Sequence, residues 1–211
     1  MNATNKTKLL YHGGERELRV KNIIFPGLRN DCDFGAGFYC AENKDTADEW
    51  VAKKSFSNKI ISVYEYTQDK DNEIYINDSD WIKVILGFRE GMYTICFSKN
   101  VVIGEIANDD MRVSIPAFVM GGELAICDRR LLQSLQYVKL GLQYVFKNSA
   151  SGLKFLDSYE VTDIMSKEFK DRSKSELQTM GKDLRTLRNS VFEDGKFYED
   201  YLEKVGEVYA F

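Results

Sequence analysis

Histidine is nearly absent from this chain of 211 residues, which has one, His12. Its four cysteines, Cys32, Cys40, Cys96 and Cys127, are scattered, with no two at the spacing of a metal-ligand pair. A zinc site needs about four nitrogen or sulfur ligands in a tetrahedron, so the composition argues against one, and no metal is expected. Dispersed thiols among apolar neighbours suit a reducing compartment, and the expected localisation is cytoplasmic. Proline is scarce as well. There are two, Pro26 and Pro116, and no Pro/Gly/Ser linker or internal repeat divides the chain. No run reaches the roughly 20 apolar residues that a membrane-spanning helix needs. The opening "MNATNKTKLL" has no apolar stretch of the secretory kind. Positive charge is not in excess either. Lys and Arg number 29 against 33 Asp and Glu, a net charge of -4. An acidic chain has no general electrostatic attraction for nucleic acid. Several catalytic signatures are missing too: G-x-S-x-G, H-E-x-x-H and the Walker loop. "GAGFYC" lacks the third glycine and the helix start of a dinucleotide fingerprint.

What is present is a folded chain, 44% hydrophobic and 13% aromatic. Residues 1–159 read as mixed α and β. "KLLYHGG" predicts a short strand ending in a glycine turn. Phe38 and Tyr39 begin another. "NKDTADEWVAKKSF" predicts a helix capped by Asn43 or Asp45, with Ala47, Trp50 and Val51 on one face. "KIISVYEYT" alternates as a strand does. "DSDWIKVILGFREG" predicts a short helix, and "VVIGEIAND" a strand running into a turn. "CDRRLLQSLQYVKLG" predicts a helix with Leu131, Leu132, Leu135 and Val138 as its stripe and Gly141 at its end. "LQYVFKN" reads as a strand, "SASGLKFL" as a short helix and "DSYEVT" as a last strand. Residues 160–211 have a different texture. Leu177, Met180, Leu184, Leu187 and Val191 form a narrow amphipathic stripe on a long helix. Asp194-Gly195 breaks it. Tyr198, Tyr201, Leu202, Val205, Val208 and Tyr209 form a second stripe, so this extension reads as a helical hairpin, either a cap packed on the first domain, the preferred reading, or a partner-binding arm.

Two features could carry chemistry. His12 is either a half-buried ring with one satisfied hydrogen bond or a binding group. In "DFGAGFYCAENKDTADEW" the glycines either bring backbone up to a ligand that Tyr39 and Trp50 would grip, or serve a turn and ordinary core packing.

Taken together, "YHGG", "GLRNDCDFGAGFYCAENKDTADEW" and "LQYVF" stand in an order that resembles the ADP-ribosyltransferase fold of the diphtheria-toxin and poly(ADP-ribose) polymerase kind. More closely, the chain resembles the bacterial domain-of-unknown-function family 3990. The shared segments are "LYHGG", "DFGAGFY", the tryptophan of "TADEW", "VVIGEIANDD", "LQYVF" and "GLKFL", and the C-terminal extension lies outside them. The resemblance implies an α+β fold with two small antiparallel-rich sheets around an NAD cleft, on which His12, Gly13, Tyr39 and Trp50 converge. It implies a glycosyltransferase-class enzyme, a mono-ADP-ribosyltransferase that uses NAD as substrate without a metal. In that scheme Tyr39 and Trp50 stack on the nicotinamide ring and His12 bonds a ribose hydroxyl. Gly13 presents backbone to the carboxamide, and Arg29 lies near the pyrophosphate or adenosine. Gln143 stands where such transferases carry a catalytic glutamate, so the implied catalytic set is Gln143, Tyr39 and His12. Glutamine keeps hydrogen bonding but not negative charge. The resemblance therefore implies that Gln143→Glu would keep or raise NAD hydrolysis. Asp33 and Glu160 are the next candidates for the charge. The implied acceptor is a protein, with nucleic acid disfavoured by the net charge. The implied setting is a bacterial toxin or effector with an antitoxin or regulatory partner. The alternative is a non-catalytic module that binds NAD, ADP-ribose or an ADP-ribosylated partner.

Overall fold

Period-two alternation builds most of this fold. In a computed structural model, residues 6–25, 32–77, 94–107, 140–163 and 208–210 are described, with residues 80, 81, 84, 85, 87, 88, 165, 167 and 168. Strand β1 is Thr7–Gly14, β2 is Phe38–Ala41, and β3 is Ile60–Thr67. Strands β4 (Glu73–Ile76), β5 (Thr94–Cys96) and β6 (Val101–Glu105) follow. Then come β7 (Leu142–Phe146), β8 (Leu153–Glu160) and β9 (Val208–Ala210). One helix, α1, is complete among the described residues at Lys44–Ala52. Its N-terminus settles the choice of cap, because the Asn43 side chain accepts from Asp45 N at 2.8 Å. Residues 80, 81, 84, 85, 87 and 88 are helical, as "DSDWIKVILGFREG" predicts. Among the described residues no helix is long and apolar enough to cross a membrane.

Seven strands form one mixed sheet in the order β4-β6-β7-β2-β1-β3-β8, and β5 and β9 form a separate two-stranded ribbon. The expected pair of small sheets is thereby corrected. Two blocks do exist, but a bridge joins them. On one side β3 runs antiparallel to β1 from Thr7↔Thr67 to Gly14↔Ile60, and β8 pairs with its other edge. On the other side β7 lies between β2 and β6, both antiparallel, and β4 adds a parallel edge. The blocks meet where β1 pairs with β2 at Tyr11↔Ala41 alone.

Each face of the sheet carries its own core. On one, Leu10, Phe38, Cys40, Tyr64, Tyr66, Ile103, Tyr144 and Phe146 cluster, with Leu18, Val20, Ile23 and Phe25 packed against them. Tyr64 is wholly buried, and its hydroxyl donates to Leu18 O, which ties that covering segment to the sheet. On the other face Ala47, Val51 and Ala52 of α1 pack on Ile61 and Val161, beside Tyr11, Ala41 and Val63. Burying Val51 alone is worth about 1.5–3 kcal/mol. A buried carboxylate fixes the helix further: Asp48 accepts from Lys44 Nζ at 2.5 Å and from Tyr159 Oη at 2.5 Å.

Two predicted helical stretches are strands. "SASGLKFL" is a turn followed by β8: Gly152 takes a φ of 82°, open to glycine, and from Leu153 the chain pairs with β3. Cross-strand partners decide that segment where its short sequence is ambiguous. Val208 and Tyr209, placed in the second helical stripe, lie in β9, which runs parallel to β5. The remainder of that stripe and the Leu177–Val191 helix with Leu184 lie outside the described residues, as does the helix predicted over 127–141 up to residue 139; Leu140 and Gly141 are not helical, and Gly141 has a φ of 86°.

Gly104 on β6 shows how tightly the sheet is covered. A Cβ there would sit 2.5 Å from Phe34 Cζ and 3.0 Å from Ile76 O. Gly104→Ala is expected to lower stability by about 1–3 kcal/mol, the usual result of overfilling a packed site. Urea denaturation measures it, and an unchanged midpoint would show that Phe34 is not wedged there.

Candidate functional site

His12 sits where β1 leaves β2. Tyr11 is still paired with Ala41, and beyond it the two strands share no further pairing. At that point His12 Nδ1 lies 2.7 Å from Tyr39 O. A carbonyl only accepts, so Nδ1 carries the hydrogen and donates. Burial holds the imidazole pKa below its ordinary value, against the opposing pull of this hydrogen bond. The ring is therefore neutral at pH 7, and Nε2 is left as an acceptor. The imidazole also packs on Phe38, with ring centroids 4.4 Å apart.

Strand alternation sorts the other predicted residues. Tyr11 pairs with Ala41 and Ala41 with Gln143, so these three share a face with Gly13 and Tyr39. His12 and Phe38 are on the opposite face. The rings of His12 and Tyr39 therefore leave the sheet on different sides, which corrects the expected convergence of their side chains on one cleft: the two residues meet through the Tyr39 carbonyl. Gly13 lies under α1: a Cβ there would be 3.1 Å from Trp50 Cε3 and 3.1 Å from Val51 Cβ. Trp50 itself is 41% exposed, with Lys54 Nζ 4.5 Å above its ring. Gly13 and Trp50 are thus brought together beside the His12–Tyr39 contact. Arg29 lies outside the described residues.

The glycine pair is accounted for by packing. Gly35 has a φ of 69°, and a Cβ there would strike the Phe88 ring at 2.3 Å. A Cβ on Gly37 would come within 2.4 Å of Val145 Cγ1. Of the two readings of this segment, the turn with core packing describes its glycines. Tyr39 is bound to the same turn: its hydroxyl donates to Gly35 O at 2.6 Å and accepts from Phe34 N at 3.0 Å.

Gln143 is only 6% exposed. Its Nε2 donates to Asp33 Oδ2 at 2.8 Å and to Glu105 O at 3.2 Å. Both partners are acceptors, which fixes which end of the amide faces them. Both amide hydrogens are therefore engaged by protein, and a ribose hydroxyl would have to compete for them. Asp33, 7% exposed, also accepts from Ala107 N at 3.2 Å. Trp81 Nε1 donates to the same Glu105 O at 2.7 Å. Glu160, the other candidate for the missing charge, ends β8, four strand positions from β7. At ordinary strand spacing that is about 19 Å away. Trp81 and the Glu105 carbonyl had no motif to mark them, since a backbone acceptor leaves no trace in residue type.

A cavity of about 360 Å³ lies on the His12 face, lined by Arg16, Glu17, Leu18, Lys21, Asn22 and Ile24. Leu18 N donates to Ser62 Oγ at 3.0 Å, and Ser62 is the cross-strand partner of His12. Arg16 and Lys21 make this hollow suitable for an anion. A second hollow of about 490 Å³ is lined by Ile23, Ile24, Phe25, Lys147 and Asn148. Burial brings the Lys147 ammonium down to about 8, and its Nζ donates to Phe34 O at 2.7 Å. Among the described residues, no three His, Cys, Asp or Glu side chains gather as a metal site would require.

A family model described as "Protein of unknown function (DUF3990)" matches residues 8–157. No curated protein and no solved structure matches the chain.

Because His12 is the one histidine in the chain, its imidazole proton resonances can be titrated without ambiguity. The midpoint is expected below 6.5. The unfolded chain then binds more protons than the folded one below that pH, so stability contributed by neutral His12 falls as the solution is acidified. An NMR midpoint at or above 6.5 would contradict the assigned neutral ring.

Proposed function

The chain belongs to the DUF3990 family, and we propose that it binds NAD at the seam between β1 and β2 and transfers ADP-ribose to a macromolecular acceptor. The observation that carries this reading is the seam itself. A neutral His12 is held by its Nδ1–H on Tyr39 O, with Nε2 left to accept from a hydroxyl. Gly13, without a side chain, lies next to it beneath the half-exposed Trp50. Such a combination suits a ligand with a ribose hydroxyl, a carboxamide that bonds backbone, and a flat ring that stacks. The hollow containing Arg16 and Lys21 adds positive charge for the phosphates on the His12 side.

The reaction is a substitution at the nicotinamide ribose. The bond from C1′ to the pyridinium nitrogen breaks, and nicotinamide leaves neutral with the electron pair. An acceptor nucleophile bonds C1′ and gives up its proton. Holding both halves of NAD places the ribose for that attack. His12 reaches the ligand from one face of the sheet at the seam, while Gly13, Tyr39 and Trp50 bear on its nicotinamide half from the other. The net charge of -4 favours a protein acceptor over nucleic acid. A toxin or effector with a neutralising partner is the biological setting that this activity suits.

One observation favours the binding-only alternative: the amide hydrogens of Gln143 are already engaged by Asp33 and Glu105. The two readings part in a single experiment. The full chain is incubated with labelled NAD and a cell lysate, and released nicotinamide and labelled protein are measured together with NAD affinity. Transferase activity is expected, and His12→Ala or Tyr39→Ala should lower it about 10- to 1,000-fold. Binding of NAD or ADP-ribose without nicotinamide release would establish the non-catalytic module instead. No binding of either at millimolar concentration would end both.

A further inference from the structure

Opening the glycosidic bond of NAD builds positive charge on the ribose, and a site that promotes it needs fixed negative charge nearby. Strand β7 offers none, because Gln143 is neutral. The group held against Gln143 is Asp33, whose Oδ2 accepts from Gln143 Nε2 at 2.8 Å and from Ala107 N at 3.2 Å. Two N–H donors converge on one oxygen, an arrangement that fits the acceptor-only carboxylate.

The turn that places Asp33 is over-determined. Gly35 N donates to Cys32 O at 2.9 Å, closing the turn around Asp33 and Phe34. Phe34 is wholly buried against Gly104, which pairs with Gln143 across β6 and β7. Tyr39 clasps Phe34 N and Gly35 O from the other side. A residue that the NAD reading assigns to the nicotinamide ring thus shares its anchorage with this carboxylate.

We propose that Asp33 supplies the negative charge of the site and that Gln143 is its positioning residue, so that the charge sits on the glycine turn rather than on β7. This inference rests on the NAD reading above. It reverses one expectation drawn from the resemblance. Gln143→Glu would set two buried carboxylates against each other at the 2.8 Å contact. Like charges that close cannot both ionise, so one oxygen must take a proton. The substitution should therefore impair the site. Exchanging the two groups, Asp33→Asn together with Gln143→Glu, returns one carboxylate and one amide to the pair.

The test compares the full-length parent, Asp33→Asn, Gln143→Glu and the double variant. Nicotinamide release gives kcat and KM, affinities for NAD and ADP-ribose are measured separately, and circular dichroism melting monitors the fold. Each single variant is expected to lose about 10- to 1,000-fold in kcat with little change in KM. The double variant should recover most of that loss, which a packing role for Asp33 would not produce. Parent-like kcat in Asp33→Asn, or a folded double variant as poor as the worse single one, would overturn the proposal. If the parent binds NAD but releases no nicotinamide, the transferase reading fails by itself, and the charge is judged by binding. Asp33→Asn should then weaken NAD, whose pyridinium is cationic, at least about fivefold while sparing ADP-ribose, which lacks that ring. Equal effects on both ligands, or none, would overturn it. Binding of neither ligand to the parent would remove both ideas.

Discussion

The single bridge between β1 and β2 is the constraint on which the rest of the sheet depends. At Tyr11↔Ala41 a three-stranded block joins a four-stranded one, and both cores are completed across that junction. Where the ladder stops, a side chain continues it: His12 bonds Tyr39 O. That bond sets the separation of the strands and, by using Nδ1, decides which nitrogen of the ring is left to accept. Fold and candidate chemistry are therefore linked at one residue.

Among the described residues, buried and partly buried charge is held by neighbours. Asp48 is shared between Lys44 and Tyr159 and fastens α1 to β8. Lys147 donates to Phe34 O. Asp33 receives Gln143 and Ala107 N. Among the described residues no buried side-chain nitrogen or oxygen lacks a partner, as expected where leaving one unmet costs about 1–3 kcal/mol. Asp48 and Asp33 nonetheless differ in kind. Asp48 faces a lysine at helical spacing and joins two elements. Asp33 instead receives a neutral side-chain amide and a backbone N–H, and ties the glycine turn to β7.

Much of the architecture was legible because the long strands have strong patterns. "LLYHGG", "IISVYEYT" and "LQYVF" form β1, β3 and β7, and Asn43 caps α1. Short segments were not legible. β4, β5 and β9 have only three or four residues, too few for a period to emerge, and each is defined by a distant partner. The predicted helix ending at Leu156 and strand beginning at Asp157 divide Leu153–Glu160, and only pairing with β3 shows that one strand runs through.

By itself the sequence determined the ordered motifs, the lone histidine, the acidic balance and the family to which the chain belongs. Those are properties of residue identity and local order. The tertiary structure alone decided that the sheet is continuous, that the His12 and Tyr39 rings leave it on opposite faces, and that the glycine pair is filled by Phe88 and Val145. It also decided that Asp33, 110 positions from Gln143, is its partner. The reason is register. One step along a strand turns a side chain to the other face, and strands distant in sequence choose that step together.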